Sequence, residues 1–274
     1  MIEPGGDEMC EGEILYHYTS IEGLNSIINS RCVWASDCRY LNDQKELHDA
    51  SEIFLSKFNG KKKEILSSAL HWHNISRLHC VFSLSRSPKV LSQWCVYGDD
   101  GRGAAIGFYR KYLLGFSRIH PCVIDDCIYD GHEEFLEGVV DRCKDDIDTL
   151  FTMCSQAGGA LNSFWSLIDE NPMPLVRLYG ELLKVKNPAF REEQEVRLVI
   201  SVPIKDILTR VSKNIIIPYV EHEFLEKDET HMWCVAPEIW LGPKCDKRNE
   251  QALRMFCQLG WNINGIHSFD CGYI

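Results

Sequence analysis

A knot of charge that ends in a run of branched aliphatic residues constrains this chain most. Between Lys186 and Ile200, the residues Arg191, Glu192, Glu193, Glu195 and Arg197 crowd together and pass without a break into Leu198-Val199-Ile200. The aliphatic end reads as a buried strand. Strand periodicity then puts Glu193, Glu195 and Arg197 on one face, with the two carboxylates about 7 Å apart. Such a pair has two readings. At a solvated strand end it makes cross-strand ion pairs. In a cleft it is desolvated and aimed, as acid–base or charge-stabilising work requires.

The rest of the composition suits a chain able to enclose such a strand. Of the 274 residues, 45% are hydrophobic and 25% charged, which fits a globular protein with a large core. No low-complexity linker or internal repeat divides it, so a single α+β domain over residues 14–274 is the simplest expectation. Residues 1–13 are acidic and lack an apolar segment, reading as a short disordered lead-in and not a secretion signal. No run of 18 apolar residues occurs, so no membrane span is expected. The thirteen cysteines are an odd count without Cys-x-x-Cys, and several sit in apolar segments, as in a reduced cytoplasm. The net charge of −11 disfavours general nucleic-acid binding unless a local basic groove exists. His71-Trp-His73 with His79-Cys80 matches no standard zinc spacing, and no metal is expected.

Along the chain, Ile14–Tyr18 reads as a strand handing straight to a helix, with Thr19 as N-cap and Glu22 at capping-box spacing. Val33–Ser36 is a second strand. Tyr40–Asp43 is a turn, and Asp43 with Glu46 opens a helix. A helix over 65–75 and a strand over 79–85 follow. Ser87-Pro88 has the form of an N-cap and first helical residue, and Gly98 that of a stop. The turn Gly98–Gly103 leads into a strand at 104–108. Its Gly101-x-Gly103 precedes a strand instead of joining strand to helix, which excludes a dinucleotide-binding fingerprint. Beyond it lie a strand at 122–130 and two helical tracts, 133–154 and 161–184, the second broken at Asn171–Pro174. Strands near 215–217 and 238–243, a helix at 251–259 and a strand at 263–267 close the chain. Elements mix without a regular βαβ rhythm, which favours α+β.

Several ordered motifs carry a resemblance. Leu15-Tyr-His-Tyr-Thr-Ser20, Tyr40-Leu-Asn-Asp43, Phe82-Ser-Leu-Ser85, Ser92-Gln-Trp-Cys-Val-Tyr-Gly98, Ala105-Ile-Gly-Phe108, Glu193-Gln-Glu-Val-Arg197 and Ile239-Trp-Leu-Gly-Pro243 span nearly the whole chain. The set resembles a widespread bacterial family of uncharacterised function. More distantly, the opening strand with His17 followed by a helix is similar to the start of the ADP-ribosyltransferase fold, His-Tyr-Glu branch, which includes DNA-modifying toxins of the DarT type. That resemblance implies a mixed or antiparallel split sheet with surrounding helices, and NAD as substrate. It implies a macromolecular acceptor, protein or nucleic acid, and a role as toxin or antiphage effector.

Carried over by position, the ribose-binding histidine falls on His17, with Tyr18 and Thr19 beside it, and the glutamate that engages the ribose 2′-hydroxyl on Glu195. Tyr97 is the first choice to stack on nicotinamide, with Trp94 and Tyr40 as rivals. Ser83 resembles a serine of the Arg-Ser-Glu branch, and Glu193-x-Glu195 that branch's glutamate pair, so the chain combines features of both. The residue types suit the chemistry. Breaking the nicotinamide–ribose bond passes through an oxocarbenium-like centre that an ionised Glu195 can stabilise. A neutral imidazole has one donor and one acceptor for ribose hydroxyls, and an aromatic face attracts the cationic ring. Arg102 or Arg39 can pair with pyrophosphate, and Glu193 can activate an acceptor. The competing expectations are an NAD glycohydrolase and a non-catalytic binding module. In the latter, Glu195 pairs with Arg197 or Arg191, and Trp94 or Tyr97 fills the core.

Overall fold

The hand-over from first strand to first helix turns on one serine. In this computed structural model, which describes residues 12–42, 45–115, 120–212, 214–224, 234–258 and 262–273, β1 spans Ile14–Thr19 and α1 spans Ile21–Ser30. Ser20, with extended backbone, is the N-cap, and its Oγ accepts from the Gly23 N–H at 3.1 Å. Thr19, expected as the cap, is instead the last residue of the strand. Its hydroxyl packs so close to α1 that a Cβ on Gly23 would lie 2.0 Å from Thr19 Oγ1. Leu24, Ile27 and Ile28 form the buried face of α1.

The chain continues through β2 (Cys32–Asp37), α2 (Glu46–Ser56), α3 (Gly60–Ser76), β3 (Arg77–Ser85), α4 (Leu91–Val96), β4 (Ala104–Tyr109) and α5 (Arg110–Gly115). After β5 (Cys122–Asp126) come four helices: α6 (His132–Arg142), α7 (Lys144–Gln156), α8 (Leu161–Glu170) and α9 (Met173–Leu182). The last elements are β6 (Glu195–Pro203), β7 (Leu208–Ser212), β8 (Ile215–Glu223), β9 (Cys234–Leu241), α10 (Arg248–Gln258) and β10 (Asn262–Ser268).

Three boundaries differ from expectation for identifiable reasons. Asp43 lies outside the described residues, and α2 begins at Glu46 after Lys45, which makes no side-chain cap bond. Ser87 and Pro88 do not start α4, whose N-cap is Val90. The Tyr18 hydroxyl pins that approach, donating to Ser87 O at 2.8 Å and accepting from Val90 N–H at 3.0 Å. Gly98 does follow the C-cap Tyr97, its N–H bonding Gln93 O. The tract 133–154 is two helices, because Cys143 leaves helical geometry at φ −97° and ψ 17°.

The architecture is mixed α/β with an open, mixed sheet, and the chain groups into two compact units, each assembled from separated stretches. Residues 1–33, 84–117 and 223–274 make the first. Here the strand order is β10-β9-β4-β1. β1 runs antiparallel to β4 from Ile14 opposite Tyr109 to Thr19 opposite Ala104, and β9 runs parallel to β10. Tyr16, Tyr18, Trp94 and Ala105 form a core cluster. In the turn before β4, Asp99, Asp100 and Gly101 all take left-handed backbone, with φ of 51°, 54° and 79°. The return segment presses on it: a Cβ on Gly242 would lie 2.3 Å from Gly101 O, so only glycine fits there.

Residues 34–83 and 118–222 make the second unit. In it β6 lies between β3 and β5, with Cys122 opposite Ile200 and Asp126 opposite Val196. Every residue of β6 from Glu195 to Val202 is buried, as in a strand covered on both faces. A helical core packs Phe54, Leu66, Leu150, Phe164, Leu178 and Tyr179 together. No helix among the described residues is long and apolar enough to cross a membrane.

Candidate functional site

The two glutamates meet by a different route from strand alternation. Asn187 opens a 3₁₀ turn, Pro188–Glu193, by accepting the Ala189 N–H on its Oδ1 at 3.0 Å. Gln194, at φ 47°, then swings the chain into β6, whose first residue is Glu195. Glu193 is therefore not on the strand, and the expectation of three charged residues alternating along one strand face is corrected to Glu195 and Arg197 alone. Lys186 does the gathering. Its ammonium, 1% exposed, donates to Glu193 Oε2 at 2.6 Å and to Glu195 Oε2.

Arg197 extends the network. Its Nη2 donates to Glu195 Oε2 at 3.1 Å and to Glu46 Oε2 at 2.6 Å, while Nη1 donates to Leu183 O at 2.9 Å. Cys127 Sγ lies 3.6 Å from Glu195 Oε2, and the Tyr129 hydroxyl accepts the Glu195 N–H at 2.8 Å. Arg191 pairs instead with Asp130.

Three carboxylates thus share two cations in a buried setting, and the environment treats them differently. Burial alone would raise the Glu195 carboxyl, but Arg197 and Lys186 outweigh it and hold it down at about 2. Burial raises Glu193 in spite of Lys186, and raises Glu46 in spite of Arg197. Burial would lower Lys186, but the Glu195 and Glu193 charges overcome that and raise it, so the ammonium stays charged. Burial, reinforced by Glu195, pushes the Cys127 thiol up, and a thiol so placed is no nucleophile.

The remaining candidates divide between the units. In the first, His17 is half-buried on β1 opposite Ile106. Tyr18 is buried and committed through its hydroxyl, and Thr19 abuts α1. Trp94 is fully buried, with Tyr18 edge-on at 4.9 Å, Phe269 stacked at 6.0 Å and its Nε1 donating to Pro88 O. An enclosed ring of this kind offers no free face to a ligand. Tyr97 is 38% exposed, and Arg102 is exposed beside Asp99 and Asp100. In the second unit, Tyr40 is 43% exposed at the end of a short 3₁₀ turn, and Ser83 is half-buried on β3. Arg39 forks onto the buried Asp37, with Nη2–Oδ2 at 2.6 Å.

The histidine-rich stretch is core. His73 and His79 stack on Tyr179, with ring centroids 5.3 and 4.1 Å away. Burial drives His73 down to about 3 and His79 well below its usual value, so both rings are neutral. Among the described residues, no group of three or more His, Cys, Asp or Glu is placed to hold a metal ion. The described cysteines are free thiols.

A cleft of about 450 Å³ opens in the second unit, lined by residues of α2 and α3 and by Arg39, Tyr179 and Arg197. Glu46, on its wall, escaped the sequence reading because its position suggested only a helix start. Lys186 stands nine residues before Glu195, and with Lys184 only two residues away nothing in the local sequence singled it out. A family model described as "Protein of unknown function (DUF2971)" matches residues 93–198. That span runs from α4 into β6 and includes Lys186, Glu193, Glu195 and Arg197. No curated protein and no solved structure matches the chain.

Proposed function

We propose that this chain is an NAD-consuming, ADP-ribosyltransferase-like enzyme that cleaves the nicotinamide–ribose bond and passes ADP-ribose to a protein or nucleic-acid acceptor. One observation carries the reading: two carboxylates share the Lys186 ammonium, yet Glu195 is held at about 2 while burial raises Glu193. Carboxylates whose environments drive them apart are suited to separate roles. Glu195, permanently ionised, supplies negative charge as the bond electrons leave with neutral nicotinamide and C1′ becomes cationic. Glu193 takes the proton from the acceptor hydroxyl or amine as its lone pair attacks C1′. With water as acceptor, the same steps release free ADP-ribose. His17 enters through the resemblance of β1 alone.

Burial favours a second reading. Glu195 is 6% exposed, and its Oε2 already accepts from two cations. Such a network also serves as the internal scaffold of a non-catalytic binding module. Incubating purified protein with NAD and weighing the products separates the two. Nicotinamide release that is lost in Glu195→Gln and slowed in Glu193→Gln supports the enzyme. NAD left untouched, with and without protein or oligonucleotide acceptors, removes it in favour of the binding module.

A further inference from the structure

The cleft of the second unit holds an unfinished set of hydrogen bonds. Glu46 and Arg197 both line it, and both side chains are more than nine-tenths buried. Most of their polar atoms are engaged, since Arg197 Nη2 donates to Glu46 Oε2 and Nη1 donates to Leu183 O. Glu46 Oε1 and Arg197 Nε are buried without a partner among the described residues. A buried polar atom left unsatisfied keeps its full desolvation penalty, so native proteins rarely keep two in one ion pair without a use for them. Here one is an acceptor and the other a donor. The Glu46 carboxyl turns about a soft terminal torsion, which lets Oε1 present itself to the cleft.

The mouth has a different character. Arg39 spends Nε and Nη2 on Asp37, and His48, His71 and Asn74 add exposed polar side chains along α2 and α3. The volume lies within the usual range for small-molecule pockets.

We infer that this cleft binds a small molecule carrying an adjacent hydrogen-bond donor and acceptor, as in a primary carboxamide or a nucleobase edge, together with one anionic substituent. The N–H of that edge donates to Glu46 Oε1, and its acceptor takes the Arg197 Nε–H. The anionic group lies toward Arg39, His48 and His71. The acidic Glu52 on the same lining disfavours a polyanion. The inference stands apart from the transfer reading, because Glu193, Lys186 and Glu195 do not line the cleft.

Calorimetric titration of the whole chain with AMP, adenosine, nicotinamide and inorganic phosphate tests it. Saturable one-to-one binding of AMP is expected, with adenosine at least threefold weaker and phosphate alone not saturating. Ser67→Trp, on an exposed α3 position that lines the cleft, fills the space and weakens AMP at least tenfold without altering the circular dichroism spectrum. His71→Ala weakens AMP more than adenosine. The inference is overturned if AMP, adenosine and nicotinamide all fail to bind the folded wild-type chain. It is equally overturned if phosphate binds as well as AMP, or if Ser67→Trp leaves affinity unchanged.

Discussion

Acid is expected to destabilise the second unit well before its carboxylates protonate, because of His73 and His79. Each ring is stacked on Tyr179, and no ring nitrogen of either histidine has a partner among the described residues. Burial lowers both, and the named charges around them, Arg77 and Arg39, are cations that push the same way. The unfolded chain therefore binds protons that the folded one refuses, so stability rises with pH. It is fully present above the unfolded value of 6.5, starts to fall as pH drops through it, and for His73 goes on falling to about 3.

Between pH 7 and pH 5 the linkage relation gives about 2 kcal/mol lost for His73, and His79 adds a loss of the same sign. The carboxylates do not imitate this. Glu195, held at about 2, withdraws stability only as pH falls below 4.5. Glu46 and Glu193 are raised by burial and so add stability on acidification. Urea unfolding at pH 7, 6 and 5, followed by tryptophan fluorescence, measures the slope. Trp72 and Trp165, stacked at 4.6 Å in the same helical layer, report it. His79→Phe keeps a ring against Tyr179 and should make the slope shallower. A flat wild-type profile from pH 7 to 5, or an unchanged slope in His79→Phe, would refute the reasoning.

Other perturbations follow from the same geometry. Arg197→Met strands Glu46 in the interior, leaves Glu195 with Lys186 alone, and should cost about 3–5 kcal/mol in chemical denaturation. Adding Glu195→Gln to that variant should return part of the loss. Ser20→Ala should cost about 1 kcal/mol, and Glu22→Ala much less, since Ser20 alone makes the cap bond. Asp99→Gly should be neutral or stabilise by up to about 1 kcal/mol in thermal melts, as it relieves a left-handed backbone at an exposed, loosely paired side chain. Gly101→Ala should do the reverse, with strain at φ 79° and a Cβ 3.1 Å from Pro243.

What the sequence made legible was local. The aliphatic run Leu198–Ile200, the hand-over from β1 to a helix, the Gly98 stop and the break at Asn171–Pro174 all depend on neighbours within a few residues, and the structure has each of them. The site was legible only in outline. Glu195 and Arg197 alternate on one strand as their spacing demands. Glu193 joins them through a left-handed residue, Gln194, and a lysine reaching across the turn, which periodicity does not encode. Glu46 meets Arg197 across 151 positions of sequence, and His73 meets His79 against a tyrosine a hundred residues on. Such pairings are set by how helices stack. The two compact units leave no mark in the sequence for a related reason: each is assembled from separated stretches, so no linker marks a border.

That interleaving has a cost during synthesis. β1 and β4 pair early, but β9, which closes the other edge of β4, lies beyond the entire second unit. At ribosomal rates the delay is roughly 6–25 s, during which the β4 edge waits without its partner. A nascent chain with an open, apolar edge is a target for intermolecular pairing. Expression of this protein should therefore depend on temperature and on chaperone supply more steeply than its final stability would suggest, and chains that stall before residue 234 should aggregate instead of persisting as a half-built fold.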